Sequence, residues 1–365
     1  MIPFIDLKSQ YGLIEDKVKS RINAILEHGK YIMGPEVAEL ENNLNKFIDC
    51  KHSIGCGSGT DALMLAMLAL DIKHGDEVIV PNFTFFGTAE VVSLLGAVPV
   101  FVDIDPSTYN IDPLKVSEAI TPKTKAIMPV SLYGLTADLE SLMKISKEKG
   151  IAIIEDGAQS FGASYTVNGT RVKSCNIATI STTSFYPAKP LGAYGDAGAV
   201  FTNDDDLALK MRQLLNHGQE RGYHHIHIGF NGRLDSIQAA VLIEKLDIFA
   251  KEIELRNQVA SKYREAFNGK IKMQEVPEGH ISSWAQFTIE VEDRDSFRES
   301  LSKSNVPTAV HYPTQLTDQP VYKEFSNTDT PASKSAAKKV VSLPMHPYLS
   351  DEDQRVVIET VLENI

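Results

Sequence analysis

The stretch best equipped for chemistry is Ser181-Thr-Thr-Ser-Phe-Tyr-Pro-Ala-Lys-Pro-Leu-Gly-Ala-Tyr-Gly-Asp-Ala-Gly-Ala199, which sets Lys189 between two prolines and ahead of a run of glycines. Pro187 and Pro190 fix φ and remove amide donors, so neither a helix nor a central strand can continue through them. The pattern predicts a rigid loop presenting an amine, and a held amine is what Schiff-base chemistry with a carbonyl requires. Two other places could serve the same chemistry. Gly57-Ser-Gly-Thr60 lies where an apolar run passes into a helical pattern. Amides at a helix start, with a hydroxyl, make an anion cradle, although a tight turn with a threonine cap accounts for the motif equally well. Asp156, in Ile151-Ala-Ile-Ile-Glu-Asp-Gly-Ala-Gln159, ends another apolar run, where open α/β sheets hold their ligands. Its carboxylate could pair with a protonated ring nitrogen while Gln159 reaches a ring oxygen, or it could simply cap the next turn.

Cradle, aspartate and lysine, in that chain order, match the phosphate, pyridine nitrogen and aldehyde of pyridoxal phosphate. Phe85, in Asn82-Phe-Thr-Phe-Phe86, is placed either to stack on such a ring or to fill core. The glycine motif is neither a Walker loop nor GxGxxG, which disfavours nucleoside triphosphates and Rossmann dinucleotides.

The surrounding elements must position these groups. Helical periodicity covers residues 9–28 and the stripe Val37, Leu40, Leu44 and Ile48. From residue 53 short apolar runs alternate with helices: 53–56, 77–80, 99–102, 126–130, 151–154, 177–183 and 197–202. Such runs suit a sheet covered on both faces, so the expected fold is α/β with a mostly parallel central sheet. A long helix is expected from Ser236 to about Phe267, with a kink possible within it. Beyond Gly269 the pattern reads strand 281–291, helix 295–303, strand 306–310 and a last helix at 351–364, a smaller α+β domain. The expected division is 1–250 for the N-terminal segment and large domain and 251–365 for the small one.

The net charge of −12 argues against a nucleic-acid partner but leaves room for a small anionic ligand. No apolar run is long enough for a membrane span, and the N-terminus lacks the look of a secretory leader. Cys50, Cys56 and Cys175 show no CxxC spacing, which reads as reduced thiols in a cytoplasmic protein.

Over nearly its whole length the chain resembles the DegT/DnrJ/EryC1/StrS family of pyridoxal-phosphate-dependent nucleotide-sugar aminotransferases, which have the aspartate aminotransferase (type I) fold. The marks are Phe-Ile-Asp-Leu (4–7), Gly-Pro-Glu-Val (34–37), Gly-Thr-Asp-Ala-Leu (59–63), Glu-Asp-Gly-Ala-Gln-Ser (155–160), Lys-Pro-Leu-Gly (189–192) and Asn231-Gly-Arg-Leu-Asp235. A narrower likeness lies in Pro129-Val-Ser-Leu-Tyr-Gly, Ser160-Phe-Gly-Ala-Ser-Tyr, Tyr223-His-His, Val310-His-Tyr-Pro313 and Ser342-Leu-Pro-Met-His-Pro-Tyr348. It resembles members that aminate UDP-2-acetamido-2-deoxy-3-oxo-glucuronate for diacetamido-uronic acids of bacterial surface polysaccharide (O-antigen, lipopolysaccharide).

The resemblance implies that Lys189 carries the cofactor and then acts as general base, with Asp156 on the pyridine nitrogen. It puts Gln159 near the ring hydroxyl and Phe85 against the ring. Gly59, Thr60 and Ser184 would hold the phosphate, with Asn231 supplied by the neighbouring subunit of a homodimer. Relatives with histidine in place of the lysine are sugar dehydratases, so lysine favours transamination. L-glutamate is the expected donor, leaving as 2-oxoglutarate, and a UDP-linked keto sugar the acceptor. Both bring a carboxylate, for which Arg233 is the candidate anchor, the alternative being a salt bridge to Asp235 or another acid. His311 and Tyr312 are expected to touch sugar or diphosphate. Two departures from the family pattern are Gly232, in place of a larger residue, and Ala197, in place of glycine. His224, His225 and His227 fit polar loop contacts better than a metal site, and Trp284 fits core or interface. The rival readings are an aminotransferase for a 4-keto-6-deoxy sugar and a non-catalytic sugar-sensing regulator.

Overall fold

The computed structural model describes residues 2–167 and 169–365. Met1 and Asn168 lie outside them.

Two helices precede the sheet, α1 (Leu7–His28) and α2 (Pro35–Ile48). The Asp6 side chain caps α1 by accepting from the Ser9 amide, and Gly29 ends it in the left-handed region at φ 69°. Strand and helix then alternate: β1 (His52–Cys56), α3 (Gly59–Ala69), β2 (Glu77–Pro81), α4 (Gly87–Leu94), β3 (Val98–Val102), α5 (Pro113–Ala119), β4 (Thr124–Ile127), α6 (Leu139–Lys149) and β5 (Ala152–Asp156). A hairpin of β6 (Ser164–Val167) and β7 (Thr170–Lys173) interrupts the series before β8 (Ile180–Ser184), β9 (Gly198–Thr202) and α7 (Asp205–Leu214). Short strands β10 (Gln219–Arg221) and β11 (His224–His225) pair in the His-rich segment.

The main sheet has seven strands in the order β1-β9-β8-β5-β4-β2-β3. β8, β5, β4, β2 and β3 pair in parallel, and β9 alone runs against its neighbours β8 and β1. The remaining strands therefore send their carboxyl ends to one edge, where Cys56, Pro81, Asp156 and Ser184 lie. The apolar runs have no polar face because each face meets its own core. Val78, Val80, Ile154 and Val200 pack with α3, α4 and α7. On the opposite face Ile79, Ile127 and Ile153 pack with α5 and α6, and Ala199 and Phe201 with α2 and the start of the next helix.

That helix, α8 (Ser236–Phe267), runs for 32 residues without interruption, so the kink does not occur, and it carries the chain straight through position 250. Its first half packs against α1 and α2. Its second half supplies Tyr263 and Phe267 to a separate core with α9 (Arg294–Lys303), α11 (Asp351–Glu363) and a small antiparallel sheet. This sheet is β12 (Lys272–Met273), β13 (Phe287–Glu290) and β14 (Val340–Leu343), the last reached through α10 (Pro331–Lys339).

Two strand expectations need correction. The strand expected at 281–291 forms its ladder only from Phe287, because Trp284, buried at 4% exposure in the core, sits in the left-handed region at φ 47° and bends the chain away. No strand forms at 306–310. Pro307 has no amide to donate, and only Ala309 bridges Ser342. The strand that completes the small sheet is β14.

Candidate active site

The lysine loop hangs between the antiparallel ends of β8 and β9. It is closed by Phe185 N donating to Ala197 O at 2.8 Å and Ala193 N donating to Phe185 O at 2.7 Å. The Lys189 amide donates to Tyr186 O at 2.8 Å, a turn that the flanking prolines pre-set. At Gly192 a Cβ would come within 2.5 Å of the Pro187 carbonyl oxygen, so this turn admits only glycine. Ala197 keeps an ordinary backbone, so the family's glycine is not needed there. From below, Nζ of Lys245 on α8, wholly buried, donates to Gly192 O at 2.6 Å and lies 4.3 Å from the Tyr194 ring centre. Burial draws this lysine down to about 8 against the pull of Glu252.

Lys189 opens into a cavity of about 420 Å³ at the carboxyl edge of the sheet, shared with Gly59, Thr60, Phe85, Asp156, Ser184, His311 and Tyr312. Asp156 is 6% exposed. Its Oδ2 accepts from Thr88 Oγ1 and its Oδ1 from the Ala158 amide, both at 3.1 Å. Burial pushes its pKa up, and the Ala158 amide, the Lys189 charge and Thr88 pull it back. Burial also lowers the Lys189 amine, opposed by Asp156, so the two groups temper each other across the cavity. Behind Asp156 the carboxylate of Glu155, with no exposure, takes hydrogen bonds from Ser174, Ser181, Ser131 and the Cys175 amide.

The cradle forms at the start of α3, but Ser58 is its cap rather than Thr60: Ser58 Oγ accepts from the Asp61 amide at 3.0 Å. That leaves Thr60 facing the cavity beside the first helical amides, which have no acceptor within the helix. A Cβ on Gly59 would fall 2.6 Å from Ser184 Cβ, so glycine is what lets helix start and strand end meet. Phe85 presents a ring 56% exposed.

Three sequence-predicted residues are not part of the cavity wall. Gln159 sits behind Tyr312, with Oε1 accepting from the Tyr133 amide at 2.8 Å and Nε2 donating to the Tyr312 hydroxyl at 3.0 Å. Asn231 and Arg233 bond each other at 2.8 Å on the far side of the cradle, where Gly232 O accepts from Gly57 N. Arg233 also donates to Asn216 Oδ1 at 3.1 Å and, among the described residues, makes no salt bridge to Asp235 or any other acid. A side chain at Gly232 would collide with the Phe230 ring. His224 pairs with Glu220 and His225 with the His217 carbonyl. Among the described residues no cluster of metal-ligating side chains forms and no helix is long and apolar enough to cross a membrane.

Sequence reasoning passed over Thr88, which holds Asp156. Its signal is position, one helical turn beyond Thr84 in the segment leaving β2 at the ligand edge of the sheet. The donor set fits pyridoxal phosphate: a helix start with two hydroxyls for a phosphate, a buried carboxylate for a protonated ring nitrogen, and an amine lowered by burial.

A seven-stranded sheet with a lysine loop, strand-end aspartate and helix-start cradle defines a type I pyridoxal-phosphate enzyme. Residues 13–362 match the DegT/DnrJ/EryC1/StrS aminotransferase family, and the chain belongs to it, a nucleotide-sugar transaminase dependent on pyridoxal phosphate. It is 51% identical over 364 residues, 98% of each chain, to the UDP-2-acetamido-2-deoxy-3-oxo-D-glucuronate aminotransferase of Pseudomonas aeruginosa. It is 40% identical over 99% of its length, and 98% of the other's, to a pleiotropic regulatory protein of Geobacillus stearothermophilus. Among solved structures it resembles NtdA from Bacillus subtilis with bound cofactor PMP, at TM-score 0.89 and 32% identity over 99% of this chain and 82% of that one.

Proposed function

We propose that the chain transfers the amino group of L-glutamate to the C3 ketone of UDP-2-acetamido-2-deoxy-3-oxo-D-glucuronate, toward a diacetamido-uronic acid of bacterial surface polysaccharide. The observation that carries the reading is the meeting of Lys189, Asp156 and the α3 start in one cavity. The choice of sugar is supported by the near-full-length similarity to the Pseudomonas enzyme.

Pyridoxal phosphate, when bound, supplies an aldehyde that exchanges amines and a ring that withdraws electrons. The chain's own residues do the rest. Gly59 and Thr60 at the helix start, with Ser184, take the phosphate, and Phe85 offers a flat apolar face. Thr88 and the Ala158 amide pull the Asp156 carboxyl down against its burial, and as a carboxylate it would hold the ring nitrogen protonated. Nζ of Lys189, lowered by burial, is suited to take a proton from the carbon bearing the transferred nitrogen and to return it. Gln159 acts through Tyr312, and His311 and Tyr312 form the wall that meets the sugar.

Arg233 and Asn231 lie off their own cavity, which fits a homodimer in which each subunit lends them to its partner, Asn231 for phosphate and Arg233 for substrate carboxylates. The exposed apolar run Tyr31, Ile32 and Met33 supports such a seam. The free thiols of Cys50, Cys56 and Cys175 suit the reducing cytoplasm. We also retain the division into 1–250 and 251–365, supported by the C-terminal core around Tyr263, Phe287 and Val357, although α8 runs through the boundary and Leu316 and Tyr322 pack into the core of the large sheet.

The test is spectroscopic. Glutamate should bleach the long-wavelength band of the holoenzyme, and the UDP-linked 3-keto-uronate should restore it. Restoration by a UDP- or dTDP-linked 4-keto-6-deoxy sugar alone would move the activity to that substrate. Absence of any exchange would leave a regulator.

A further inference from the structure

Between Tyr312 and α10 the C-terminal part returns to the large sheet, where Leu316 and Tyr322 enter the core. One side chain ties that return. Asn82 follows directly on β2 at the ligand edge of the sheet and has no exposure. Its Oδ1 accepts from the Thr317 amide at 2.9 Å, and its Nδ2 donates to Thr317 Oγ1 at 2.8 Å and to Thr330 Oγ1 at 2.7 Å. Its carbonyl accepts from the Leu316 amide at 2.9 Å. A backbone N–H can only donate, so the Thr317 amide settles which end of the Asn82 side chain is oxygen. Gln315 is settled in the same way. Its Nε2 donates to the Asp318 carboxylate at 3.2 Å, which leaves Oε1 to accept from Thr330 Oγ1 at 3.1 Å and from Asn82 Nδ2 at a longer 3.3 Å. Gln315, Thr317 and Thr330 are all buried, so the knot is closed to water.

Its place in the chain gives it a further role. Phe85 comes three residues after Asn82, and Tyr312 three residues before Gln315. Both line the cavity, with ring centres 6.1 Å apart, and the buried ring of Phe83 meets Tyr312 edge-on at 6.4 Å. Three residues reach about 10 Å at most, so each ring is on a short tether from the knot. We propose that Asn82 is a positioning residue that sets the gap between Phe85, which offers its face to the cofactor ring, and the His311–Tyr312 wall. Phe85 has a second anchor, because Phe86 packs on the core and α4 begins at Gly87. The wall is also held by Tyr133 at the His311 carbonyl and by Gln159 at the Tyr312 hydroxyl. Loss of the knot therefore leaves the wall in being but loosens its distance from the ring. The keto sugar, the larger of the two substrates, bears that loss. The proposal rests on the cavity being the sugar site.

Two measurements on the holoenzyme test it. In Asn82→Ala, KM for the keto sugar should rise about tenfold, roughly the worth of one net hydrogen bond, while the glutamate half-reaction keeps its rate. Hydrogen exchange without substrate should be about tenfold faster in peptides covering residues 311–317. Asn82→Asp still accepts from the Thr317 amide and can take protons from both threonine hydroxyls, so it should restore both readings to within about threefold of the wild type. Thr330→Val, which cuts a single bond of the knot, should move both in the same direction by less. Unchanged exchange at 311–317, an unchanged sugar KM, or an equal loss in the glutamate half-reaction overturns the proposal. Exchange is read with no sugar present, so failure here is distinguishable from failure of the proposed reaction.

Discussion

Replacing Lys245 with methionine tests how the lysine loop is fastened. The ammonium is buried and held at about 8 against an ordinary 10.5, so keeping it charged in the folded protein costs about 3 kcal/mol at neutral pH. Methionine removes that cost but leaves the Gly192 carbonyl without its donor, a loss of about 1–3 kcal/mol, and ends the contact with the Tyr194 ring, worth about 1 kcal/mol. At neutral pH the two sides nearly cancel, and the variant should unfold within about 2 kcal/mol of the wild type. The pH dependence does not cancel. Because the folded pKa is depressed, the penalty is fully present below about 8 and is relieved as pH rises toward 10.5, where the unfolded chain also loses its proton. Urea unfolding of both proteins at about pH 7 and about pH 10 should show the wild type gaining about 2 kcal/mol on the variant across that interval. A difference that stays flat, or that shrinks as pH rises, refutes the reasoning.

Three further outcomes follow from the site. Asp156→Asn should keep the fold and its Thr88 contact but lower kcat about a hundredfold, since an amide cannot hold a protonated ring nitrogen; single-turnover reaction with glutamate reads this. Glu155→Gln sets an NH₂ group among the four donors that now converge on the carboxylate, and should cost about 2–4 kcal/mol in denaturant unfolding. Phe85→Ala, at a ring more than half exposed, should leave the melting temperature of the apoprotein unchanged while weakening cofactor binding about tenfold in a fluorescence titration.

What could be read from the chain alone was whatever is written in consecutive residues. Lys189, its prolines and Gly192 constrain the backbone locally, so a presented amine followed from types and spacing. Asp156 was legible because a buried run of β-branched residues ends on it. The contacts that tune these groups come from remote stretches and leave no local pattern. Thr88 meets Asp156 across 68 residues, and Lys245 reaches Gly192 across 53. Ser342 opens a motif marked in the sequence, but its pairing with Thr288 across β13 and β14 leaves no local pattern. The misplaced strands failed for backbone reasons: a left-handed turn at Trp284 and a missing donor at Pro307 outweighed the apolar composition.

The uninterrupted α8 constrains how this protein can be taken apart. At about 1.5 Å per residue it is a rod of about 48 Å, and along it stand both the strut under the lysine loop, Lys245, and Arg256, which donates to the carbonyl of Trp284 in the C-terminal core. Severing the chain at 250/251 would strand these two on separate fragments, each with half a helix and a raw apolar flank. Coexpressed halves should therefore recover function only if the cut is moved to an exposed connection such as the one between Phe267 and Lys272, so that the rod stays in one piece.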